Sequence, residues 1–378
     1  MIYLDNNSST MMDFQVLEAM LPYFTSIYGN PSNINSITGS AACNAVADAL
    51  YEIADYFNAI SINDIIITSG ATESNNLAIS GILDNRVDSH VIISCIEHPS
   101  IIEVCKYWQA KGTEVTFLPV DLEGRVALKD LEKSIKKNTC LISVMSANNE
   151  IGTIQPIYSI AEIAKKHGVL FHTDASQYLL YYRIDVQKNP IDMISFSGHK
   201  MHGPKGIGGL YISKSARSLL APIIRGGGQQ LNLRSGTLNV PGIIGLSTAF
   251  RIARKTQVEM NKKMYHMMKV FFQRLDLDTN YHMNGSIDKR IPNNINMYFD
   301  NVSAKALIDL LPDIAISTGS ACNSEKKASS YVLRSIGLTE KEIEYSFRIG
   351  MSKYTREEEM ISVADSIKNA VYQIKKSV

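Results

Sequence analysis

Between residues 64 and 215 short β-branched runs alternate with helical patterns, and this alternation constrains the fold more than any other feature of the 378-residue chain. Such a rhythm is the signature of βαβ units laid on a mostly parallel sheet. The runs DIIIT (64–68), VIISCIEH (91–98), EVTFLPV (114–120), CLISVMSA (140–147), VLFHTDA (169–175), DMISFSG (192–198) and IGGLYIS (207–213) predict about seven strands. Open α/β sheets bind ligands outside the carboxyl ends of their strands. That rule selects Ser69, Gly70, Ala71, Thr72, His98, Asn149, Asp174, Ser197, His199 and Lys200 as one group, because each lies at or just past a predicted strand end.

After about residue 250 the texture changes. A Lys- and Met-rich helix (251–275) precedes short strands near INMYF (295–299) and IAIST (314–318), a last strand near YSFRIGM (345–351), and a helix from Thr355 onward. The expected architecture is therefore α/β. A large domain, 13–252, carries a mainly parallel seven-stranded sheet flanked by helices, and a smaller α+β domain combines 1–12 with 253–378. The Met cluster at 260–268 is read as a helix face packed on a core.

Thirty-eight Lys and Arg against 37 Asp and Glu leave a net charge of +1, so no whole-molecule field draws in nucleic acid or an acidic membrane. Five widely spaced cysteines without a CxxC pair suit a reducing compartment better than a disulfide or zinc framework. No basic-then-apolar leader and no run of 18 apolar residues is present, which predicts a cytoplasmic chain without membrane association, and no metal centre is expected from the cysteine pattern.

Three strand-end features belong together chemically. The small residues of SGATES (69–74), between a strand and a helix, let backbone N–H groups approach an anion at a positive helix end. Asp174 follows an apolar strand, where a partly desolvated carboxylate needs a cationic or hydrogen-bonding partner. Lys200, in SFSGHKMHGPKG, is an amine at a strand end among Ser, His and Gly, a setting for carbonyl chemistry. Alone, the small-residue turn is more often a helix cap and the lysine more often an exposed loop residue. Together they meet the three needs of pyridoxal 5′-phosphate: an anchored phosphate, a protonated ring nitrogen and a tethered aldehyde.

In order and spacing, GATESNN (70–76), EHPSI (97–101), NNEIG (148–152), DASQ (174–177), SGHKMHGPKGIGGLY (197–211), RSGTLNV (234–240) and TGSACNS (318–324) resemble the NifS/IscS-like cysteine desulfurases. These are fold type I pyridoxal-phosphate enzymes related to class V aminotransferases. The resemblance implies conversion of L-cysteine to L-alanine with transfer of sulfur to an enzyme persulfide. It assigns the cofactor's aldehyde to Lys200, its ring nitrogen to Asp174, its ring hydroxyl to Gln177, and stacking and proton transfer to His98. The phosphate falls to Ala71, Thr72, Ser197 and His199, with Thr237 reaching in from the second subunit of a homodimer. Asn149 and Arg348 are assigned the substrate carboxylate.

Cys322 is implied as the persulfide-forming thiol, and its surroundings agree. TGSACNSEKKASS is small and polar, which predicts an exposed loop able to carry sulfur from the pocket to an acceptor protein, whereas Cys95, Cys105 and Cys140 sit in apolar patterns and Cys43 on a helix face. Iron–sulfur assembly, tRNA thiolation and DNA phosphorothioation are all compatible destinations, with any nucleic acid contacted by a partner. Selenocysteine lyase or aminotransferase chemistry on the same cofactor is the alternative enzyme reading; a silent docking subunit is the alternative class. The chain departs from the family at Ser36, where a histidine is usual, at Gln230-Leu231-Asn232 in place of a Glu-Arg-Gly stretch, at His202, commonly tyrosine, and at Ser352, often glycine.

Overall fold

The computed structural model describes residues 1–84, 86–275, 280–318 and 329–377. After a short N-terminal strand β1 (Ile2–Tyr3), the predicted runs become β2 (Ile65–Thr68), β3 (His90–Ser94), β4 (Glu114–Leu118), β5 (Thr139–Ser143), β6 (Leu170–Asp174), β7 (Met193–Ser197) and β8 (Gly208–Ile212). They form one seven-stranded sheet in the order β2-β8-β7-β6-β5-β3-β4. Strands β4, β3, β5, β6 and β7 are mutually parallel, while β8 runs antiparallel to both β7 and β2. The sheet is thus mainly parallel, as the alternation requires.

Burial on both faces explains the unbroken apolar runs. Along β3, Val91 and Ile93 pack with Leu77, Ile101 and Cys105 from the helices Ala71–Leu83 and Pro99–Gln109. Ile92 points the other way, into a cluster with Ile160 and Phe171. The chain leaves β3 for the edge strand β4 and returns to β5 on β3's other side. This reversal is a topological switch point, where strand ends splay and leave a crevice.

A second sheet is built from β9 (Tyr281–Met283), β10 (Asn294–Phe299), β12 (Ser317–Thr318) and β13 (Phe347–Gly350) in the antiparallel order β12-β13-β10-β9. Strand β11 (Ile314–Ala315) pairs instead with β1. The run IAIST, which reads as one strand, therefore divides between two sheets. The helix expected over 251–275 extends back to Val240 and spans Val240–Leu275, so it passes through position 252 without a break.

The N-terminal segment ties the two sheets together. Asn6 N–H donates to Gly350 O, Thr10 N–H to His199 O and Asp13 N–H to His202 O. No helix among the described residues is long and apolar enough to cross a membrane.

Candidate active site

A cavity of about 470 Å³ opens at the carboxyl ends of β2, β3, β5, β6 and β7. Its lining contains Ala71, Thr72, His98, Asn149, Asp174, Gln177, Ser197, His199, Lys200 and Arg348, which the sequence reading singled out, together with Asn7, Ser8 and Ser9, which it did not. Thr237 is exposed and does not line the cavity of its own chain. Cys322 lies outside the described residues.

The floor of the site begins where β2 turns into the helix Ala71–Leu83. Gly70 caps that helix at φ 152° and ψ 179°, a region open essentially to glycine, and no side chain caps the helix end. The N–H groups of its first turn are left for a ligand. Ser197, His199, Lys200 and Lys205 face the same space, so the donor set is that of an anion site. Glu73 does not spoil it, because its carboxylate is drawn aside: Oε2 accepts from Ser69 N–H at 2.8 Å and Oε1 from Arg234 Nε at 2.8 Å.

Asp174 ends β6 as a buried carboxylate. Its Oδ1 accepts from Ser176 N–H at 2.9 Å and its Oδ2 from Asn75 Nδ2 at 2.7 Å. Lys200, in the turn after β7, donates through Nζ to the carbonyls of Asn7 and Ser8. Gln177 exchanges hydrogen bonds with Asn7, giving one Nε2 hydrogen to Asn7 O at 2.9 Å and accepting from Asn7 Nδ2 at 3.2 Å. His98 caps the helix Pro99–Gln109 by accepting Ser100 N–H at Nδ1, and burial lowers its pKa below the ordinary histidine value. Burial likewise lowers His199, whose pKa falls to about 4. In both cases burial favours the neutral imidazole.

Arg348 is almost wholly buried on β13. Its guanidinium donates to Asn149 O at 2.9 Å, Asp5 Oδ1 at 2.7 Å and Ser8 Oγ at 2.7 Å, yet Nε is buried with no hydrogen-bond partner. The residue borders the cavity, and a guanidinium suits a carboxylate ligand because its planar head can make paired charge-assisted bonds.

These residues fit pyridoxal phosphate: an uncapped helix end for the phosphate, a buried carboxylate for the ring nitrogen and an amine on the same rim for the aldehyde. The departures have structural roles of their own. Ser36 caps the helix Ile37–Phe57, accepting Gly39 N–H at 3.0 Å. Gln230, Leu231 and Asn232 form a turn with φ of 50°, 61° and 63°, and the Gln230 amide closes on both backbone groups of Ile67 on the edge strand β2.

The family model for class V aminotransferases matches residues 2–363. A cysteine desulfurase IscS of Rickettsia bellii is 41% identical over 362 residues, covering 95% of this chain and 88% of that protein. Among solved structures, a NifS-like protein superposes with a TM-score of 0.91 at 34% identity, covering 98% of this chain and 99% of that one. A structure described as SspA in complex with cysteine gives a TM-score of 0.82 at 36% identity, with 94% and 100% covered.

Proposed function

Because the chain belongs to the class V aminotransferase family, on its cysteine desulfurase branch, we propose that this cavity binds pyridoxal 5′-phosphate and moves the sulfur of L-cysteine to Cys322. The observation that carries the reading is the convergence of Lys200, Asp174, Arg348 and an uncapped helix end on one cavity. The helix N-terminus, with Thr72, Ser197 and His199, would hold the phosphate. Asp174 would pair with the ring nitrogen, Gln177 with the ring hydroxyl, and Lys200 with the aldehyde carbon. Bound there, the cofactor supplies a sink for negative charge developing at the substrate carbon.

The chain's own residues do the rest. Arg348 and Asn149 bind and orient the substrate carboxylate. The neutral imidazole of His98 and the Lys200 amine take and return protons at the substrate carbons and sulfur. The Cys322 thiolate attacks the substrate sulfur as the carbon–sulfur bond breaks. The bonding pair stays with the carbon fragment, which leaves as L-alanine after protonation, and the sulfur remains as a persulfide. Atoms and electrons balance without an external oxidant, and the persulfide is reactive enough to pass to an acceptor protein. In the same reading Thr237 completes the phosphate site of a second subunit.

Replacing the tether is the test. Lys200→Ala is expected to abolish the visible absorption given by a covalent lysine–cofactor link and to stop alanine formation from L-cysteine. An unchanged spectrum would overturn the assignment.

A further inference from the structure

We infer that Asn75 is a positioning residue that, through Ser100, holds His98 with its ring proton on Nε2 and ties that histidine to the Asp174 carboxylate. The inference rests on the proposed reading of His98 as a proton carrier. Asn75 is fully buried, one turn into the helix Ala71–Leu83, and Ser100 lies in the first turn of the neighbouring helix Pro99–Gln109. Asn75 Nδ2 gives one hydrogen to Asp174 Oδ2 at 2.7 Å and the other to Ser100 Oγ at 2.9 Å. Ser100 Oγ, already accepting from Asn75, has its own proton to donate, and His98 Nδ1 lies 2.8 Å away. The Ser100 backbone N–H approaches the same nitrogen at 3.2 Å. Two donors converge on Nδ1, so that nitrogen must offer its lone pair. The single proton of neutral His98 is then on Nε2, the ring nitrogen left for the cavity that His98 lines.

Packing does not account for Asn75. Its Oδ1 is buried with no partner, and an apolar side chain of the same shape would avoid that cost. What the amide adds is two donated hydrogens, both spent on the relay. The order of donation matters as well: Asn75 fills one acceptor site of the serine oxygen and favours the hydroxyl as donor to Nδ1, and without it a proton on Nδ1 would be opposed by the longer 3.2 Å backbone contact and less by the hydroxyl.

Ring-nitrogen NMR of the full chain labelled with ¹⁵N-histidine reads this directly, with the His98 signals assigned by their loss in His98→Gln. The native protein is expected to show an unprotonated Nδ1 and a protonated Nε2. In Asn75→Leu and in Ser100→Ala the Nδ1-protonated fraction at neutral pH should rise severalfold, and Ser100→Thr, which keeps the hydroxyl, should restore the native pattern. A native His98 protonated on Nδ1, or populations unmoved in Ser100→Ala, would overturn the relay. Should Asn75→Leu fail to fold, Ser100→Ala at its partly exposed position still decides. Adding pyridoxal phosphate to the same native sample separates the two ideas, because failure to bind it would count against the proposed function and leave the tautomer result standing.

Discussion

Glu97 sits fully buried beside the site, accepting from Ser94 Oγ and from Met145 N–H at 2.9 Å, with Oε2 unpartnered. Burial pushes its pKa up to about 8. An unfolded glutamate releases its proton near pH 4.5, so the folded chain binds an extra proton between these values. Its contribution to stability is complete below about pH 4.5 and is lost as the pH rises toward 8. Glu97→Gln keeps the shape without the titration. Urea midpoints measured across this range should fall with pH more steeply for the native chain than for the variant, and parallel slopes would show that Glu97 does not titrate there. At this scale the sequence revealed the strand-end residues well, since position relative to a strand is periodic information. It did not reveal Asn7 and Ser8, which occupy a polar run with no period, nor the meeting of Asn75 with Ser100, which depends on two helix ends 25 positions apart in the chain.

The turn from β2 into the helix Ala71–Leu83 carries the phosphate reading. A Cβ at Gly70 would meet only Ser197 Oγ, at 3.8 Å, so the obstacle to a side chain is the backbone angle and not space. Gly70→Ala is expected to cost about 1–3 kcal/mol in strain or to rotate the helix's first N–H groups away from the cavity. Titration with pyridoxal phosphate should then weaken at least tenfold while pyridoxal itself is little affected; equal losses for the two ligands would remove the helix end from phosphate binding. Elements were mostly legible from apolar runs. The exceptions are instructive. IAIST splits because β1 competes for Ile314–Ala315 while β13 takes Ser317–Thr318, a tertiary choice between two partners. The Gln230 turn was a mere departure on paper, yet its amide occupies backbone groups of Ile67 on an edge strand that would otherwise stay open to pairing.

Two parts of the proposed machinery depend on more than one described chain. Thr237 is exposed while its neighbour Arg234 is fastened to Glu73, so the segment bearing Thr237 is tied near the first turn of the helix Ala71–Leu83. If the homodimer shares sites, a heterodimer of Lys200→Ala with Thr237→Val gathers both lesions in one site and leaves the other intact. Its remaining site should turn over cysteine with the native cofactor affinity, whereas the affinity of the Thr237→Val homodimer would show that each chain uses its own threonine. The near-neutral charge of the whole chain, +1, leaves delivery of sulfur to a protein partner as the consistent expectation.

The central claim is that sulfur leaves L-cysteine for one thiol of the five. The purified enzyme, loaded with pyridoxal phosphate and given one equivalent of L-cysteine without reductant, should release an equivalent of L-alanine and gain one sulfur atom on the peptide containing Cys322, as read by mass spectrometry. Alanine formed with sulfur on Cys43, Cys95, Cys105 or Cys140, or in a Cys322→Ser chain at the native yield, would contradict it.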